Sequence, residues 1–126
     1  MRWTVWLVLA AAALAACAGP SVPTPSPPAT DATISSGALE FGTSSLAAPA
    51  NGPWTIRFVN QSLMPHNVAI YTDATAAELI FRGDTIEQRD IVYAVPALAT
   101  GTYFFRCDLH PDMRGTVVAG DPVGRD

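Results

Sequence analysis

Trp54-Thr-Ile-Arg-Phe-Val-Asn60 alternates large apolar side chains with Thr55, Arg57 and Val59. That is the pattern of a strand with one face on a core and the other toward solvent. On either side, short apolar or alternating runs recur at Ala38–Phe41, Asn67–Tyr71, Leu79–Phe81, Ile91–Val95, Thr102–Arg106 and Gly115–Ala119, with Gly, Pro, Asn and Asp between them. Asp73–Glu78 has room for one helical turn, too little to change the fold class. About seven short strands within about 90 residues, punctuated by turn residues, predict an all-β fold: an antiparallel β-sandwich of Greek-key type. Such sandwiches serve many purposes, so the architecture alone does not assign a function.

The 126 residues leave room for one modest domain, too small for a multi-domain oxidase. All 7 basic residues are arginines and face 11 acidic ones, giving a net charge of −4. No basic face is available to neutralise a phosphate backbone, which argues against nucleic acid as a partner. Residues 1–16 read as an export signal: Arg2 supplies the positive n-region, and Val5–Ala16 is an uncharged run of Val, Leu and Ala, shorter than the roughly 20 residues of a spanning helix. The run ends in Leu14-Ala15-Ala16-Cys17, which resembles the bacterial lipobox and makes Cys17 the expected site of lipidation. Residues 17–30 continue into AGPSVPTPSPPAT, a Pro-rich stretch suited to an extended tether, and the domain proper is expected over 31–126. Location in the cell envelope, anchored to a membrane through lipid on its periplasmic or outer face, follows from this reading.

With Cys17 assigned to the leader, Cys107 is a lone thiol in an exported chain and calls for a reason. It lies in Tyr103-Phe-Phe-Arg-Cys-Asp-Leu-His-Pro-Asp-Met-Arg-Gly-Thr-Val117, followed by His110 and Met113 at intervals of three. A thiolate, an imidazole and a thioether thus share one loop between two expected strands. The other histidine, His66, sits about 40 residues upstream in Met64-Pro65-His66-Asn67-Val68. Two imidazoles, a thiolate and a weak axial thioether form the blue-copper donor set. Singly, Cys107 reads equally well as a small buried hydrophobe and Met113 as core filling. Together, in this order and spacing, they point to one metal ion. Zinc is the rival, with Asp108 or Asp112 replacing the thioether that zinc binds poorly. C-type haem is excluded, because Cys107 is not part of C-x-x-C-H.

Over about 90 residues these segments resemble the plastocyanin and amicyanin family of cupredoxins, with the short spacing of the amicyanin loop. The resemblance implies one copper ion per chain on His66, Cys107, His110 and Met113. It also implies a supporting role for Asn67, its N–H directed to the Cys107 sulfur and its side chain tying the two ligand loops together. The implied activity is one-electron transfer with redox-protein partners, without catalysis, in a monomer. Met64, Pro65, Leu109 and Pro111 would form the apolar docking patch around His110. Copper delivery or buffering in the envelope is the alternative function. The sequence departs from the family at Asp108, where a small hydroxyl residue is usual; a carboxylate beside the thiolate should favour oxidised copper.

Overall fold

The computed structural model describes residues 17–23 and 29–120. The export signal, most of the tether's Pro-rich centre and the last six residues lie outside that range. Eight strands follow in chain order: β1 Ala32–Ser36, β2 Ser45–Pro49, β3 Trp54–Asn60, β4 Ala69–Tyr71, β5 Leu79–Arg82, β6 Arg89–Val95, β7 Gly101–Arg106 and β8 Arg114–Gly120. They form a three-stranded sheet, β1-β3-β6, and a five-stranded sheet, β2-β8-β7-β4-β5.

The alternation in β3 has the expected consequence. Trp54, Ile56, Phe58 and Asn60 are buried, while Thr55, Arg57 and Val59 are half-exposed. Ile34 of β1 and Tyr93 and Val95 of β6 join them, and Leu46, Ile70, Phe105 and Val117 belong to the same core cluster from the five-stranded sheet. The Phe58 and Tyr93 rings stack at 5.9 Å. Truncating Phe58 to alanine removes a fully buried ring, at a cost of about 3–5 kcal/mol.

The all-β sandwich agrees with the sequence reading, but two strands escaped it and one expected strand is absent. β1 (ATISS) and β2 (SLAAP) carry too few large apolar residues to stand out. Both lie at sheet edges and pair in parallel, β1 with β3 and β2 with β8, whereas the remaining pairings are antiparallel. Pro49 is tolerated at the end of β2 because an edge strand does not need every N–H. Ala38–Phe41 is a tight return over β1 instead of a strand: Gly37 N–H donates to the Glu40 carbonyl at 2.9 Å and Gly42 N–H to that of Ser35 at 2.8 Å. The return drives the Phe41 ring against Phe105, 5.4 Å away, and Phe58, 6.4 Å away. Asp73–Glu78 forms no helix; it is a turn with Thr75 N–H donating to the Asp73 carboxylate at 2.9 Å. Gly115, expected to turn the chain out of the loop, is instead within β8, where a Cβ would collide with the Ser44 carbonyl and the Phe105 ring.

Candidate metal centre

Two chain segments meet at one end of the sandwich. The first, residues 61–68, links β3 to β4 and carries His66, whose N–H and carbonyl both bond to Ile86, at 3.1 and 3.0 Å. The second follows β7 directly. Cys107 N–H donates to the Met113 carbonyl and Met113 N–H to that of His110, both at 2.9 Å, so residues 107–113 close into a compact loop.

The loops bring three donor atoms together. His66 Nδ1 and His110 Nδ1 are 3.1 Å apart, and each lies 3.8 Å from Cys107 Sγ. The circle through corners with these separations has a radius of about 2.1 Å, within the range of zinc–nitrogen and zinc–sulfur bonds. One transition-metal ion therefore fits the triangle without rearrangement. The donor chemistry agrees, since two ring nitrogens at this distance cannot both carry protons, and a cation can take the place of the one proton between them. His66 and Cys107 are fully buried, His110 is half-buried, and Met113 is buried on the same loop. Burial and the neighbouring His110 ring hold His66 below the usual histidine value, with the backbone carbonyls of Ala38 and Gly37 acting in the opposite sense. His66 is thus biased toward the neutral form a metal needs.

The frame around these residues is more elaborate than the sequence suggested. Asn60, the last residue of β3, is almost fully buried. Its Nδ2 donates to the Met64 carbonyl at 2.8 Å and the Ile86 carbonyl at 2.7 Å; its Oδ1 accepts from Ser62 N–H at 2.9 Å and Ser36 Oγ–H at 3.2 Å. One amide thus shapes the loop that presents His66. A readable signal existed: Asn60 shares strand parity with Trp54, Ile56 and Phe58, and a polar side chain on a core face needs partners. Asn67 Oδ1 accepts from Asp108 N–H at 2.9 Å, spanning the two loops, and its Nδ2 donates to the Gly83 carbonyl at 3.3 Å. The Asn67 N–H expected at the sulfur makes no such bond among the described residues, where the partners of Sγ are the two ring nitrogens.

Asp108 is also differently placed from the expectation of a bare negative charge beside the thiolate. Its carboxylate accepts from Tyr71 Oη at 2.5 Å, Arg82 Nε at 2.7 Å and Arg106 Nε at 3.1 Å. Two guanidiniums against one carboxylate leave the group positive by one charge. Burial opposes ionisation of Asp108, but the bonds from Tyr71, Arg82 and Arg106 outweigh it and hold the carboxyl below its usual value.

A family model described as a cupredoxin-like domain matches residues 4–119. This chain belongs to the cupredoxin-like family. Among its relatives, amicyanin of Paracoccus versutus is 39% identical over 64 residues, covering 51% of this chain and 47% of that protein. Chloroplastic plastocyanin of Chlamydomonas reinhardtii is 34% identical over 88 residues, 64% of this chain and 59% of that protein. The chain thus spans about half the length of that amicyanin and somewhat more of the plastocyanin. Crystallographic cupredoxins share the fold: auracyanin of Roseiflexus castenholzii has a TM-score of 0.63 at 19% identity, covering 73% of this chain and 98% of that one. The P. versutus amicyanin structure has a TM-score of 0.58 at 29% identity, covering 74% and 84%. The resemblance to plastocyanin and amicyanin in the sequence is therefore borne out for family and fold.

Proposed function

We propose that this cupredoxin is a type 1 copper protein that carries single electrons in the cell envelope. The convergence of His66 Nδ1, His110 Nδ1 and Cys107 Sγ carries the reading. His66, Cys107 and His110, with Met113 on the same loop as Cys107 and His110, would hold the ion. Copper, when bound, supplies the one-electron chemistry. The rest falls to the chain: burial of His66, Cys107 and Met113 excludes water, and main-chain bonds hold the loops in one arrangement. A site whose geometry does not adjust between oxidation states suits electron transfer. Amicyanin structures of this fold include a reduced Cu(I) form.

Zinc fits less well. Its fourth donor would have to be a carboxylate, and Asp108 is committed to two arginines and a tyrosine while Asp112 is exposed. Exposed Met64, Leu109 and Pro111 and partly exposed Pro65, on the two loops that carry the histidines, would offer apolar surface to a redox protein, and Leu63, 75% exposed, precedes Met64 on its loop. Leu63 was not among the expected docking residues.

The export signal over 1–16 lies outside the described residues, as does part of the tether. Cys17 is exposed and unpaired, which is compatible with lipidation, and no described helix is long and apolar enough to cross a membrane. Mass spectrometry of the exported protein tests this part: a diacylated or triacylated N-terminal Cys17 is expected, and an unmodified Cys17 contradicts it. The carrier reading is tested by copper exchange. Copper retained in both oxidation states through rapid electron exchange with a second redox protein supports a carrier; rapid release of copper to a chelator in either state favours delivery.

A further inference from the structure

Asp108 directly follows Cys107, and the structure gives its carboxylate three partners on three strands. Tyr71 ends β4, Arg82 ends β5 and Arg106 ends β7. The Arg106 guanidinium also lies over the Tyr71 ring, 4.9 Å from its centroid, and donates to Tyr71 Oη at 3.4 Å. Asp108 N–H is held separately by Asn67. The residue directly after Cys107 is therefore fixed at both its main chain and its side chain, and the side-chain fastening joins the ends of three neighbouring strands to the loop.

We propose that Asp108 is a positioning residue for the thiolate: its carboxylate clamps β4, β5 and β7 to the ligand loop and so fixes the direction in which Cys107 Sγ leaves the backbone. A serine or threonine here lacks the reach and the charge to hold two arginines. The guanidinium of Arg82, 57% exposed at its side chain, makes that fastening sensitive to salt. The spectroscopic part of this inference rests on the copper reading, whereas the loop-fastening part does not.

The test uses the full chain with Cys17→Ser, as wild type at the other positions and as Asp108→Asn, Asp108→Ala and Arg82→Gln. In the copper-free protein, alkylation of Cys107 by iodoacetamide reports how often the loop opens. Wild type should react slowest, Arg82→Gln and Asp108→Asn faster, and Asp108→Ala roughly tenfold faster, the scale expected for losing two ion pairs that are partly open to solvent. With copper bound, the same order should appear in the intensity ratio of the thiolate-to-copper absorption bands, a signature that a loss of global stability alone does not move. Arg82→Gln changes an exposed side chain and keeps the inference testable if Asp108→Ala fails to fold. Alkylation at the wild-type rate in both Asp108→Asn and Arg82→Gln overturns the clamp. Faster alkylation with an unchanged absorption ratio overturns the positioning of the thiolate. A wild-type protein that takes up no copper overturns the copper reading and leaves the alkylation series to decide the clamp by itself.

Discussion

On the His66 side of the centre, the loop is shaped by a neutral amide: Asn60 is 2% exposed, uses both ends of its side chain and reaches Ser36, Ser62, Met64 and Ile86. On the Cys107 side, the fastening is ionic and partly open to solvent, with Asp108 held by Arg82, Arg106 and Tyr71. The first device is strong because its partners have no alternative in the interior: losing it strands buried donors and acceptors. The second is weaker per bond, since water and salt compete for it, yet it attaches three strands to the loop that carries the thiol. Asn67, with its bonds to Asp108 and Gly83, connects the two sides.

The largest effect expected from breaking this asymmetry is at Asn60. Asn60→Ala leaves the Met64 and Ile86 carbonyls and Ser62 N–H without that partner and should cost about 3 kcal/mol or more, nearly independent of salt. Urea unfolding of the copper-free protein measures it, and a loss below about 1 kcal/mol would remove the contrast. Gly83→Ala comes next. A Cβ there overlaps the Tyr93 ring, whose hydroxyl is held at 2.6 Å by the Asp84 carbonyl, and the Gly83 carbonyl also receives Asn67. Overpacking of this kind costs about 1–3 kcal/mol, and retention of wild-type stability would show that the ring moves freely.

How far these features could be read beforehand follows the same division. The strong strands β3, β6, β7 and β8 declared themselves through alternation or apolar runs, Cys107, His110 and Met113 through donor chemistry at short spacing, and His66 as the other histidine of the chain. β1 and β2 did not, because Ser36 and Ala48 occupy buried positions normally marked by larger apolar side chains. The apparent strand Ala38–Phe41 has strand composition but is folded back by the Gly37 and Gly42 bonds. The Asp108 clamp was illegible for a different reason. Its partners come from positions 71, 82 and 106, brought together only by the order β7-β4-β5 within the larger sheet.

Smaller effects sharpen the comparison. Arg82→Gln should lower the stability of the copper-free protein only slightly at low salt, with most of the difference gone in about 1 M NaCl. A salt-independent loss would mean that its hydrogen bond, and not its charge, is what matters. Arg57→Ala removes the exposed pair with Asp90, whose side chains are 41% and 52% exposed, on the strand that ends at Asn60. It should change stability by no more than about 0.5 kcal/mol and leave the copper spectrum untouched. A spectral change from Arg57→Ala would show that the centre responds to any charge removed from β3.

The most direct test of the central claim is to add Cu(II) to the full chain carrying Cys17→Ser and record its visible absorption and EPR spectra. Intense thiolate-to-copper charge transfer at one copper per chain, abolished by Cys107→Ala, is the expected result. A colourless protein that binds no copper would contradict the assignment of His66, Cys107, His110 and Met113 as a type 1 centre.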